Sequence, residues 1–205
     1  MFDGDREVLA EELRREIAKL NSEETALRKE DEILKRREEA LRVGSASSKA
    51  DGDVRLDVGS AYLILEEKCE KAMGIFTREL KDVPRGLYIS RANPKALRCN
   101  PELANAEVCW LSKLRAGEDI PSIFGPQEVS MFINNFIEAH SRSIILLEGL
   151  EYLVSNNNFQ IVLRLVQQVR DRISTSESKL IIPLNPNVLD VTQLNQLKQE
   201  CHTID

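Results

Sequence analysis

The chain has 205 residues, 42% hydrophobic and 30% charged, with a formal net charge of -6 at pH 7 and a pI near 5.2. That balance opposes the electrostatic term that supplies most non-specific nucleic-acid affinity, and no basic block interleaved with aromatics appears, so no nucleic-acid partner is expected. No apolar run approaches the roughly 20 residues needed to span a bilayer and the N-terminus is too charged for a secretory signal, which predicts a cytoplasmic protein without membrane insertion.

Residues 1–43 hold 13 acidic and 10 basic residues and one aromatic, Phe2, too little apolar material for an independent core. Within them Leu13, Leu20, Leu27, Leu34 and Leu41 recur every seven residues. Placed at heptad position d, with Ile17 at an a position, they form the seam of an expected coiled-coil helix. Glu23 and Glu30 then fall at g and Arg28 and Lys35 at the following e positions, the charge pattern of a parallel pair. Each such exposed ion pair contributes only about 0.3 to 0.5 kcal/mol, so leucine burial must supply the affinity. Glu24, Asp31 and Glu38 at later a positions crowd carboxylates in a symmetric pair. A short homodimer, a heteromeric coil with a basic partner and a single solvated helix therefore all stay open.

Residues 44–56 open with Gly-Ser-Ala-Ser-Ser, a glycine suited to a helix C-terminus followed by small polar residues, and are read as a flexible linker. From residue 57 to 205 the pattern changes. Five short apolar runs have the length of buried strands: Ala61 to Leu65, Gly86 to Ser90, Val108 to Leu111, Ser143 to Leu147 and Lys179 to Ile182. Amphipathic stretches at Lys68 to Lys81, Gln127 to Ala139, Phe159 to Ile173 and Val191 to Glu200 alternate with them. Strands alternating with helices predict an α/β domain with a mostly parallel, roughly five-stranded sheet covered by helices on both faces.

In such a sheet ligands bind beyond the C-terminal strand ends. The residues found there are Glu66-Glu67-Lys68, Arg91, Ser112-Lys113, Glu148-Gly149 and Pro183 to Pro186. Glu66, Glu67 and Glu148 make a possible carboxylate cluster with Arg91 and Lys113 as its counterions, set against the reading of a solvated rim with ion pairs. A P-loop nucleotide site needs a glycine-rich loop after the first strand, and here two carboxylates and Cys69 follow instead. Glu148 after Ile144-Ile-Leu-Leu147 has the placement of a magnesium-binding acid, a weak signal alone. Tyr152 and Leu153 anchor the next turn, and one of Asn156, Asn157 or Asn158 is expected to cap the helix that follows.

Cys69, Cys99, Cys109 and Cys201 are scattered without metal-ligand spacing and are read as reduced thiols, with Cys109 buried in its strand. No metal and no cofactor are expected. His140 sits at a helix end where capping is the common role, and His202 lies at a terminus expected to fray.

Ala61-Tyr-Leu-Ile, Gly86-Leu-Tyr-Ile-Ser-Arg-Ala-Asn-Pro94, Trp110-Leu-Ser112 and Glu148-Gly-Leu-Glu-Tyr-Leu153, in this order, resemble the archaeal domain-of-unknown-function 835 family, from about Gly59 to Glu200. The resemblance implies an archaeal source and a module joined in other proteins to coiled coils, membrane segments or sensory domains. Where the family pattern has aspartate before Gly149, this chain has Glu148. The layout also resembles a RecA-like ATPase core that has lost its phosphate loop, an analogy of fold that does not give function.

The expected function is a non-enzymatic signalling or scaffold module that oligomerises through its coil and presents the degenerate RecA-like domain to a protein partner. Arg91, Trp110 and Tyr152 are candidates for that surface, because Arg and aromatic residues supply most interface hot spots, although Trp110 in a strand is commonly core. The alternative is a nucleotide-binding sensor or ATPase-like enzyme without a P-loop, binding phosphate through Arg91 and Lys113 with magnesium on Glu148. A third reading makes the coil the function and the globular domain its terminal cap.

Overall fold

The computed structural model describes residues 55–115, 117 and 119–204. The expected coil, with its seam at Leu13, Ile17, Leu20, Leu27, Leu34 and Leu41, and nearly all of the linker lie outside the described residues. Leu56, the last position of the expected linker, is only 3% exposed and belongs to the core.

Described residues form an α/β unit in the order β1 (Ala61–Leu65), α1 (Lys71–Glu79), β2 (Arg85–Ser90), α2 (Pro94–Arg98), β3 (Ala106–Leu111), β4 (Ser122–Ile123), α3 (Pro126–Ala139), β5 (Ser143–Leu147), α4 (Leu150–Asn156), α5 (Phe159–Ser174), β6 (Lys179–Leu184), α6 (Val191–Glu200) and β7 (His202–Ile204). All seven strands are parallel, in spatial order β4-β3-β2-β5-β6-β1-β7. The five expected strands are present. Two short edge strands, β4 and β7, extend the sheet beyond them. His202, expected to fray, instead pairs with Tyr62 as the first residue of β7.

The strand order fixes the layers. Connections β1 to β2 and β2 to β3 step toward the β4 edge, whereas β4 to β5, β5 to β6 and β6 to β7 step toward the β7 edge. Right-handed crossovers in opposite directions put their helices on opposite faces. So α1 and α2 cover one face and α3, α5 and α6 the other. Strand residues alternate between them. Leu63, Leu87, Ile89, Ile145, Leu147, Leu180 and Ile182 join Val129, Ile133, Val162, Val166 and Leu197 in the larger core. Residues of the other parity, such as Tyr88, meet α1, where the Tyr88 and Phe76 ring centroids are 6.1 Å apart.

Strand β6 continues through Pro183, which the sequence places after the strand. The N–H of Leu180 donates to Ser60 on the β1 side, and the carbonyl of Leu184 accepts from Glu66 at 3.0 Å. Residues 181 and 183, of the opposite parity, therefore aim at β5. The β5 ladder ends at Leu146 opposite Ile181. The missing proline N–H thus falls where no ladder bond is required, and β5 and β6 part at their C-terminal ends.

Candidate functional site

At the C-terminal end of β1, three backbone N–H groups open helix α1, and their acceptor comes from the preceding loop. Glu66 Oε2 accepts from Glu70 N–H at 3.0 Å and Lys71 N–H at 2.8 Å, while Oε1 accepts from Ala72 N–H at 3.0 Å. The N-cap residue Glu70 makes no side-chain cap of its own. A helix N-terminus carries partial positive charge and orphan donors that attract an anion. Here the chain supplies the anion itself. Glu66 is thus a structural cap rather than a member of an open carboxylate cluster, and Glu67 beside it is exposed.

At the adjoining ends of β2 and β5, Glu148 Oε2 accepts from the Tyr88 hydroxyl and from Ser90 Oγ, the latter at 2.5 Å. Its N–H donates to the Ile89 carbonyl at 2.9 Å, continuing the strand pairing by one residue. Ser90 Oγ also accepts from the Ala92 N–H at 2.9 Å, so the serine hydroxyl bridges the carboxylate to the start of the loop. Burial pushes the Tyr88 phenol well above its usual range, and the neighbouring Glu148 charge pushes it further. The hydroxyl therefore stays a donor to the carboxylate at all ordinary pH values. Cys69 is raised likewise, first by burial and then by the charges of Glu148 and Glu66, so it is not a thiolate nucleophile.

Arg91 and Lys113 are organised apart from that trio. Arg91 follows Leu87 and Ile89 in parity, and its Nη1 donates to the Leu111 carbonyl at 2.6 Å. Its guanidinium lies 4.0 Å from the Tyr152 ring centroid. Tyr152 meets Phe124 edge-on at 6.4 Å, and the Lys113 ammonium lies 4.4 Å over Phe124. The result is a continuous strip, Arg91–Tyr152–Phe124–Lys113, along the C-terminal ends of β2, β3, β4 and β5. Gly149 makes it possible: its φ of +109° is left-handed, and a Cβ there would lie 3.0 Å from Leu111 Cδ2 and 3.1 Å from Arg91 Cγ.

The structure therefore unites Arg91, Lys113 and Tyr152, but turns Glu148 toward Tyr88 and Ser90. No ion pair joins Glu148 to either cation among the described residues. No group of three His, Cys, Asp or Glu side chains gathers to hold a metal ion among them either. Trp110 is half-buried in β3, with its Nε1 3.4 Å from the Arg91 carbonyl, so it backs the strip rather than fronting it. His140 ends α3 as expected, its N–H donating to the Phe136 carbonyl. Asn158 is the cap of α5, accepting from Gln160 N–H at 2.8 Å, while Asn156 and Asn157 bond back to the carbonyls of Tyr152 and Leu153. The four cysteines are free, with Cys109 buried.

A family model described as "Protein of unknown function (DUF835)" matches residues 65–201, which is most of the described unit. The chain belongs to this family. The DUF835 match begins at the last residue of β1 and so takes in the Glu66 cap, the Glu148 trio and the whole aromatic strip. No curated protein matches. Among solved structures, one from Pyrococcus horikoshii OT3, known as a structural study, is similar with a TM-score of 0.50 and 15% identity, covering 71% of this chain and 80% of its own. That likeness bears on the fold alone.

Sequence reading of the DUF835 domain missed Tyr88 and Ser90 as partners of Glu148. They lie 60 and 58 residues away, and only the β2–β5 pairing brings them together. Phe124 was missed because it follows a two-residue strand with no period to reveal it. The Glu66 cap did carry a local signal, an acid four to six residues ahead of the first helical amides, hidden by a loop longer than the usual capping spacing.

Proposed function

We propose that this DUF835 protein is a non-enzymatic cytoplasmic signalling or adaptor module, brought together with its own or other chains by residues 1–43, whose strand-end surface docks a protein partner. The observation that carries this reading is Glu66. Its carboxylate occupies the α1 amides, the position from which a phosphate-binding loop would work, and a nucleotide phosphate would meet negative charge there. The nucleotide alternative also loses support because Arg91 and Lys113 are spread along aromatic rings while Glu148 is engaged by two hydroxyls. The RecA-like kinship belongs to this proposal only as the ancestry of a core without a phosphate loop.

Exposed apolar side chains support docking at the same edge. Leu114 is 69% exposed, three residues past β3, and Val188 and Val191 follow β6 at 45% and 76%. Ile161 lies in the first turn and Met131 in the second turn of helices that start from this edge. Among large exposed hydrophobics of the described residues, Val58 alone precedes a strand. Apolar groups gathered on one edge mark interaction surfaces.

The test is site-specific photo-crosslinking of the full chain in extract of its source cells, with the reactive residue at Leu114 or at Val58. A discrete adduct from Leu114 and none from Val58 is expected, together with no thermal shift on adding ATP or GTP with magnesium. Adducts from both positions or from neither reject the docking edge. A saturable stabilisation of several degrees by nucleotide, lost in Glu148→Gln, replaces the adaptor with a nucleotide sensor.

A further inference from the structure

We propose that the Arg91–Tyr152–Phe124–Lys113 strip is the docking site for an acidic peptide segment that carries apolar side chains between its carboxylates. This inference rests on the protein-docking reading above and names the chemistry of the partner.

Charge is the first ground. Residues 91–98 and 112–115 leave the sheet from β2 and β3 at the same edge. Together they hold Arg91, Lys95, Arg98, Lys113 and Arg115, all exposed, and neither stretch contains an aspartate or glutamate. In a protein of net charge -6, Arg91 and Lys113, with Arg115 in the same loop as Lys113, stand as exposed cations against the overall balance, whereas Lys95 and Arg98 belong to α2 on the other face and Asp119 follows Arg115 in sequence. Neither Arg91 nor Lys113 forms an ion pair among the described residues. Glu128, whose carboxylate does reach the strip, is occupied in accepting the Phe124 N–H at 2.7 Å.

Arrangement is the second ground. Each cation engages a half-buried ring of its own, Arg91 over Tyr152 and Lys113 over Phe124, and the two rings meet edge-on between them. The Leu111 carbonyl and the Tyr152 ring fix the Arg91 guanidinium, which reduces the entropy lost when its remaining N–H groups grip a carboxylate. Between the cations the Tyr152 and Phe124 rings offer an apolar floor, with exposed Leu114 beside Lys113. A ligand matching this order has carboxylate, apolar group and carboxylate along an extended chain. Stacked nucleobases would have to take the ring faces over which the Arg91 guanidinium and the Lys113 ammonium already lie.

The experiment titrates the full chain with a fluorescein-labelled synthetic peptide in which glutamates flank a Phe-Leu pair, read by anisotropy. Its glutamine isostere and an oligothymidylate serve as the other probes. Saturable binding of the acidic peptide is expected, weakening as salt rises from about 0.05 to 0.5 M because screening shortens from over 10 Å to a few ångströms. Lys113→Gln, in an exposed loop, and Arg91→Gln should each weaken it about tenfold, while Arg85→Gln, at the opposite end of β2, leaves it unchanged. Arg91→Lys, which keeps the charge but loses the planar fork, should fall between. Equal binding of the isostere, tighter binding of the oligonucleotide, or no acidic-peptide binding overturns the inference. If the Leu114 crosslink persists while the peptide fails, the docking edge stands and only the acidic chemistry is wrong; if both fail, the docking reading itself falls.

Discussion

Glu66 shows how one side chain fills a helix N-terminus from within the chain. A carboxylate accepting three backbone N–H groups at a helix start combines hydrogen bonding with the favourable end of the helix dipole. Removing it leaves three donors to find water at a half-buried helix end, so Glu66→Ala should destabilise the protein by about 1 to 3 kcal/mol. Glu66→Gln, which keeps an acceptor and loses the charge, should cost less, by about 1 kcal/mol. Glu67→Ala, one residue on and exposed, should stay within roughly 0.5 kcal/mol. Urea denaturation of the three variants checks the order, and equal effects at positions 66 and 67 would mean that the cap contributes nothing. The Gly149 backbone plays the complementary part, since its left-handed φ lets Arg91 pass close enough to lie over Tyr152.

Elements with a long period were the legible ones. Strands β1 and β5 occupy the bounds their apolar runs predict, and α3, α5 and α6 coincide with their amphipathic stretches to within a residue or so. Short pieces were not: β4 has two residues, and α4 begins at Leu150 in a segment read as a turn with an apolar anchor. Strand β6 ran past Pro183 because the proline's side of the strand has no partner there, a circumstance set by sheet order and invisible in the run itself. The strip was partly legible, since Arg91 and Lys113 follow strands and Tyr152 is an aromatic anchor of the next turn, but the parity that sends Glu148 elsewhere needs the sheet. Least visible was the tie between α1 and β6, where Lys179 Nζ lies 2.6 Å from Glu79 Oε2, with side chains 12% and 8% exposed. Truncating Glu79 strands the Lys179 ammonium in the interior, so Glu79→Ala should cost about 3 to 5 kcal/mol, whereas Lys179→Ala should cost less because Glu79 keeps Arg78 at 3.9 Å. Replacing the pair together by Leu and Met should be close to neutral. A double-mutant cycle by guanidinium denaturation measures this; a double variant as unstable as the sum of the singles would show that the side chains act by packing and not as a pair.

At the scale of the whole molecule, stability should fall on the alkaline side of neutrality, and the sign follows from the buried thiols. Burial pushes Cys109 and Cys201 up from 9.0 to about 12, and Cys69 and Tyr88 are shifted in the same direction. Above pH 9 the unfolded chain releases thiol protons that the folded chain retains, so the unfolded state binds fewer protons and stability declines as pH rises. The stabilisation is complete below pH 9 and is lost between about pH 9 and 12. Each thiol then contributes a slope of about 1.4 kcal/mol per pH unit, and Cys109 with Cys201 about 2.7. The two sit in different parts of the sheet and its surroundings, Cys109 inside β3 and Cys201 where α6 meets β7, so the loss belongs to global unfolding rather than to one frayed edge. Thermal melts from pH 7 to 10.5 should be flat at first and then fall steeply. In the Cys109→Ala/Cys201→Ala double variant the neutral-pH Tm should be lower because two buried side chains are truncated, while the alkaline fall should be shallower, carried only by Cys69 and Tyr88. An unchanged slope in that variant would place the alkaline sensitivity in groups other than these two thiols.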